Sequence, residues 1–225
     1  MEYEEAVASA PAGWRHFGID DVARLPEAVR AHEMARVPAG EPAERIVRAL
    51  FWSLVYHLEP QRWDELARSE PIAPELVASL PGDVDVALDV GAGSGRLTQH
   101  LVPLSRRVVA IEPSAGLGAM LAQRLPRVEV LSAWAERLPL RHGCSQLTAA
   151  CGAFGPDPDV LAELRRVTAP GGVIALINPE RPEWFEAQGW RRIEAPRRKA
   201  PEHPARIDDF FGPLDPPHEM VMTRV

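Results

Sequence analysis

The sequence predicts a doubly wound α/β sheet, mostly parallel, with helices ahead of it and an antiparallel strand at its C-terminal end. Three observations carry this. Between about residues 82 and 180 short apolar runs alternate with amphipathic ones, as parallel strands alternate with crossover helices. The first run, Val84 to Val90, passes directly into Gly91-Ala92-Gly93-Ser94-Gly95. Glycines at that place let the backbone turn sharply and approach a ligand. His218 to Val225 alternates with Met220 and Met222 on one face, and a hairpin-like return makes such a strand antiparallel.

The helical zone comes first. Asp20-Asp21 can cap a helix running toward Arg36, with a break near Pro26. From Ala43 to Leu58 the apolar positions Ile46, Val47, Leu50, Phe51, Leu54, Val55 and Leu58 follow helical spacing, which predicts one continuous helix. Pro60 opens another, carrying Trp63, Leu66 and Ala67, and a short one follows from Pro74 to Leu80. Pro81-Gly82 closes the zone, so the expected division is 1–81 helical and 82–225 ligand-binding.

Beyond Val90 the reading is a helix over 96–103, a strand from Arg107 to Ile111, and a helix from Ser114 to about Arg124. Strands follow at Val128 to Leu131 and Leu147 to Cys151. Asp157 or Asp159 caps a helix through Val167. Pro170-Gly171-Gly172 reads as a turn before a strand from Val173 to Ile177. Glu183 to Gln188 is a short helix and Trp190 to Glu194 a strand. Pro196 to Pro217 holds too many prolines for regular structure.

Composition narrows the functional classes. A net charge of -7 in 225 residues argues against nucleic acid as a partner. Arg191, Arg192, Arg197, Arg198, Lys199 and Arg206 form a basic stretch, read as a solvated loop or as a contact surface for an anionic substrate. Two cysteines, Cys144 and Cys151, give no disulfide framework and suit a reducing, cytoplasmic setting. No apolar run approaches the roughly 18–20 residues that span a bilayer, so no membrane partner is expected. The acidic start, Met1 to Glu5, does not resemble a secretory signal. Metal-ligand spacing is missing too, and no metal is expected.

The glycine loop discriminates among ligands. A dinucleotide fingerprint needs Gly-x-Gly-x-x-Gly, and here the third glycine position falls on Arg96. The pattern is Gly-x-Gly-x-Gly. It favours S-adenosylmethionine, which has no pyrophosphate to seat on a helix N-terminus. About 20 residues further on, Glu112 ends the second strand, where a carboxylate can accept hydrogen bonds from both hydroxyls of a ribose.

At these residues the chain resembles a class I S-adenosylmethionine-dependent methyltransferase of the small-molecule type, related to the ubiquinone and menaquinone biosynthesis enzymes. The resemblance rests on Leu88 to Thr98, Val108 to Leu121, Ala135 to Leu140 and Leu161 to Gly172, in that order. It implies a Rossmann-like fold with S-adenosylmethionine as cofactor. Asp89, Gly91, Ala92, Gly93 and Gly95 would surround its methionyl part, and Glu112 its ribose, with Pro113 and Ser114 alongside. Ala133, Trp134, Ala135 and Glu136 would face the adenine, and Cys151 would lie near cofactor and acceptor. Two positions depart from the family pattern, Trp134 and Gln146, where many members carry Asp.

Methyl transfer needs alignment and exclusion of water more than a base. The N-terminal helices of such enzymes form a cap over the cofactor mouth, which makes Tyr56 and His57 candidate catalytic residues. Trp52, Tyr56, Trp63 and Phe154 are candidates to line an acceptor pocket. The expected function is methyl transfer to a small molecule. The alternatives are a macromolecular acceptor, or an inactive fold that serves as a binding or assembly partner. The acceptor and the oligomeric state stay open.

Overall fold

A computed structural model describes residues 17–198 and 215–225. Lys199, Arg206 and most of the Pro-rich stretch lie outside the described residues. The described chain divides into two compact units, 17–66 and 67–198 with 215–225.

The first unit is helical. It contains α1 (Ile19–Val22), α2 (Glu27–Met34), α3 (Ala43–Ala49), α4 (Phe51–Leu58) and most of α5 (Pro60–Ser69). The helix expected from Ala43 to Leu58 is split at Leu50, where φ is -92° and ψ is 5°. The hydrogen-bond ladder still runs across the joint, from Leu50 N to Ile46 O and from Leu54 N to Leu50 O. The apolar stripe therefore continues through a local distortion, with Leu50, Leu54 and Val55 buried.

The second unit opens with α6 (Pro74–Ala78). The boundary expected near residue 81 lies inside this unit, because Leu76 and Leu80 are buried in the core on one face of its sheet. The strands are β1 (Val84–Val90), β2 (Ser105–Ile111), β3 (Glu129–Leu131), β4 (Ser145–Cys151), β5 (Thr168–Ile177), β6 (Arg191–Glu194) and β7 (Glu219–Arg224). Their order is β3-β2-β1-β4-β5-β7-β6, with β7 antiparallel to both neighbours and the other pairs parallel. Strand order reverses between β1 and β4, and ligands of open α/β sheets bind outside the carboxyl ends of strands at such a point.

Both faces of the sheet are covered, which is why its strands read as nearly continuous apolar runs. Ala87, Leu147, Ala149, Ala175, Met220 and Met222 share one core with Leu101 of α7 (Thr98–Leu101) and Leu121 of α8 (Ala115–Arg124). Leu88, Val109, Ile174 and Val221 share the other with Leu164 and Val167 of α9 (Pro158–Val167) and Phe185 of α10 (Pro182–Ala187). Ser114 and Asp157 are the N-caps of α8 and α9, and each side chain accepts from backbone N–H groups of the first turn.

Two further elements differ from expectation. The helix over 96–103 shortens to α7 followed by a 3-10 turn at Val102–Leu104, since Pro103 lacks the N–H that would continue the α ladder. Pro170-Gly171-Gly172 falls inside β5 rather than before it. The turn chemistry survives as a bulge, where the step from Ser145 to Leu147 faces the longer step from Thr168 to Val173. Gly171 supplies a φ of 79° there. Beside it Ser145, Thr148 and Thr168 join their hydroxyls at 2.7 Å each, and Thr168 Oγ1 donates to Leu164 O. No helix among the described residues is long and apolar enough to cross a membrane.

Candidate active site

The loop after β1 folds back over the end of β2. The amides of Gly91 and Ala92 both donate to Ile111 O, at 2.9 and 3.0 Å. Gly91, Gly93 and Gly95 all have positive φ, in the region that disfavours a side chain. At Gly91 the requirement is also steric. A Cβ there would stand 2.9 Å from the Ala153 Cβ and 3.6 Å from the Phe154 ring. The segment that follows β4 is thereby seated on the glycine loop, and Phe154 with it.

Glu112 follows β2 and is 6% exposed. Its Oε2 accepts from Gly93 N at 2.8 Å and its Oε1 from Ser114 N at 2.7 Å. Burial pushes its carboxyl up to about 6, while the two backbone donors pull the other way. Each carboxylate oxygen has two lone pairs, so both can accept again from a ligand. Pro113, between these bonded residues, is half-buried.

Asp89 is fully buried at the end of β1. Thr98 Oγ1 donates to its Oδ2 at 2.6 Å, whereas Oδ1 is buried with no hydrogen-bond partner. Burial pushes its carboxyl up to about 7, against the pull of Thr98. An orphaned acceptor of this kind fits a ligand that brings a donor, and the positive-φ glycine loop beside it leaves room for the approach.

Cys151 ends β4, and burial raises its thiol against the opposing charge of Arg96. Arg96 in turn bonds Glu70 Oε2 at 2.9 Å. In the sequence Arg96 breaks the dinucleotide spacing, but nothing there marks Glu70. Twenty-six residues separate the two, and no motif signals the pairing.

On the far side, Trp134 is half-buried, with Ala133 and Ala135 packed on the core beneath the sheet and Glu136 next in line. The segment just beyond is pinned by α9. Arg166 donates to Leu138 O and Leu140 O at 3.0 and 2.8 Å, and Glu163 accepts from Leu138 N at 2.8 Å. This ties together the two sequence stretches Ala135 to Leu140 and Leu161 to Gly172. Gln146 stands at the opposite end of β4 from Cys151, where its Oε1 accepts from Val86 N at 2.9 Å. Its departure from the family pattern joins β1 to β4 and does not touch this end of the sheet.

In the helical unit, Trp52 stacks on Tyr56, and Trp63 meets both rings edge-on at 5.6 and 4.9 Å. Trp52 is 48% exposed. His57 is partly buried, which lowers its pKa and favours neutral imidazole. Among the described residues no group of His, Cys, Asp and Glu could hold a metal ion.

The strand order and this loop are those of the Rossmann-like fold shared by S-adenosylmethionine-dependent methyltransferases. Residues 87–172 match the family model described as a methyltransferase domain. An uncharacterized methyltransferase of Mycobacterium bovis is 34% identical over 115 residues, which are 50% of this chain and 46% of the relative. The demethylmenaquinone methyltransferase of Beutenbergia cavernae is 33% identical over 118 residues, 50% of this chain and 48% of the relative. The chain thus spans about half the length of these relatives. A solved S-adenosylmethionine-dependent methyltransferase from Aquifex aeolicus shares the fold, with a TM-score of 0.50 at 20% identity over 73% of this chain and 95% of that one.

Proposed function

We propose that this chain transfers a methyl group from S-adenosylmethionine to a small-molecule acceptor. The observation that carries this is the bond between Glu112, after β2, and Gly93, in the loop after β1, beside the buried orphan oxygen of Asp89. When bound, the cofactor supplies a methyl group on a sulfonium, which needs no further activation. Glu112 holds the ribose hydroxyls. Gly91, Ala92, Gly93 and Gly95 let the backbone lie close to the methionyl part, and Trp134 to Glu136 flank the adenine. Cys151 and Phe154 limit the space at the end of β4 and keep water from the reacting carbon. Fixed alignment of this kind can contribute roughly 7–11 kcal/mol, so no general base is required of Tyr56 or His57.

Support for a small acceptor comes from the menaquinone-type relative and from the acidic balance of the chain. We assign the aromatic surface of Trp52, Tyr56 and Trp63 to that acceptor. The unbridged thiols of Cys144 and Cys151 support a reducing, cytoplasmic setting. The test is calorimetric titration with S-adenosylmethionine and S-adenosylhomocysteine, with NAD as control, on the wild type and on Glu112→Ala. Saturable binding of both sulfur compounds, lost in the variant, is expected. Binding of neither to the wild type would overturn the proposal.

A further inference from the structure

We infer that the ion pair of Arg96 and Glu70 is a recognition device for the α-amino-acid head of the cofactor, with Arg96 taking its carboxylate and Glu70 holding the guanidinium in place. This rests on the cofactor reading above and goes beyond it, because Glu70 lies outside the motifs that suggested that reading and Arg96 entered it only by breaking the dinucleotide spacing.

Position comes first. Glu112 follows β2 and lies at the ribose end. The rest of an extended ligand must then cross the end of β1 toward β4, where strand order reverses. Arg96 stands at that destination. It lies close enough to Cys151, the last residue of β4, for its charge to act on the thiol. Its Nη2 lies 3.3 Å from where a Cβ on Gly152 would stand. Asp89, at the end of β1, is close enough to feel its charge.

The pair is also withdrawn from water. The Arg96 and Glu70 side chains are only 10% and 16% exposed. A buried ion pair contributes little net stability once desolvation is counted, so its presence beside a ligand crevice calls for another role. A guanidinium offers five N–H donors in a planar fork, enough for Glu70 and a second carboxylate. Glu70 is fixed from its other oxygen, which accepts from Asp215 N at 3.3 Å.

Charge balance selects the ligand. Arg96 is already neutralised by Glu70, so a pyrophosphate would bring two uncompensated negative charges. An amino-acid zwitterion brings one charge of each sign. Its carboxylate meets Arg96, and its ammonium supplies the donor that Asp89 Oδ1 lacks. The clamp therefore favours S-adenosylmethionine over a dinucleotide for a reason separate from glycine spacing.

The test compares two ligands by calorimetry. S-adenosylhomocysteine carries the amino-acid head, and 5′-methylthioadenosine has the same nucleoside thioether without it. Arg96→Gln should weaken S-adenosylhomocysteine at least tenfold and methylthioadenosine less than twofold. Glu70→Gln should weaken the first ligand selectively but less, and Arg96→Lys should restore part of the loss. Equal weakening of both ligands, or no change in either, would overturn the inference while leaving the cofactor proposal standing. Failure of the wild type to bind either compound would overturn both. Thermal unfolding of each variant separates a lost fold from a lost contact, and Glu70→Gln carries the test if Arg96→Gln does not fold.

Discussion

Glu112 accepts a hydrogen bond from the Gly93 amide at 2.8 Å, so the acid after β2 is tied to the loop after β1. One carboxylate shapes the loop and, in the proposed function, accepts from a ribose, and the two roles separate by substitution. Glu112→Ala strips acceptors from Gly93 N and Ser114 N and should cost about 1–3 kcal/mol of stability for each amide left dry. Glu112→Gln keeps one acceptor oxygen and the volume. With one amide still satisfied it should recover about half of that loss yet bind S-adenosylhomocysteine at least tenfold more weakly. Urea unfolding and calorimetry on the same samples check this. Wild-type affinity in Glu112→Gln would remove the carboxylate from ribose binding.

Gly91 is held by two constraints. Its φ of 73° disfavours any side chain, typically by about 1–2 kcal/mol, and an added Cβ would meet the Ala153 Cβ at 2.9 Å. Gly171 has a φ of 79° but open space around it. Gly171→Ala should therefore lose only the backbone part, and Gly91→Ala more. Adding Ala153→Gly to Gly91→Ala should restore the steric part alone. A double variant no more stable than Gly91→Ala, by denaturant midpoint, would show that the contact does not matter.

Burial pushes Asp89 up to about 7 from an ordinary 3.8, and the sign of the consequence follows. Between those two values the folded state holds a proton that the unfolded chain has released. Stability from this group is thus greatest at acid pH and falls as pH rises through about 7, by at most about 4 kcal/mol. Glu112 adds a smaller fall over the window up to about 6. Asp89→Asn removes the larger part. Its stability relative to wild type should rise from pH 5 to about pH 7 and level off above that, and parallel unfolding curves would contradict this. If an ammonium docks on Asp89, binding of S-adenosylhomocysteine near pH 6 should also release a proton. Calorimetry in buffers of different ionisation enthalpy reads that release, and Asp89→Asn should lose it.

The strands were legible where burial on both faces made them continuously apolar, so Val84–Val90 matches residue for residue. Asp157 was legible as one of two candidate caps because a cap is a local contact. The place of Glu112 beside the glycine loop was legible because strand end and loop are separated by a characteristic distance in sequence. The Arg96–Glu70 pair was not, since two charged residues 26 apart meet only through the fold. Gln146 departs from the family pattern. Only the sheet register shows that it serves Val86 at the opposite end of β4. Gly171 declared a turn correctly, but not that the turn would be absorbed as a bulge inside a strand.

The acceptor surface is tested through Trp52. Its ring is 48% exposed, stacked on Tyr56 and edge-on to Trp63. Exposed aromatic pairs of this geometry are each worth roughly 0.5–1.5 kcal/mol, so Trp52→Ala should lower stability by about 1–2 kcal/mol. The cofactor contacts assigned above involve none of these rings, so affinity for S-adenosylhomocysteine should stay within twofold of wild type. With an acceptor found by screening, the KM for that acceptor should rise severalfold while kcat changes less, the pattern expected when binding contacts are lost without harm to the reacting geometry. Trp52→Phe, which keeps an aromatic face, should recover much of the KM. If Trp52→Ala leaves the acceptor KM unchanged, the aromatic cluster is core packing with one face in solvent, and the acceptor must be sought at Phe154 and the segment after β4 instead.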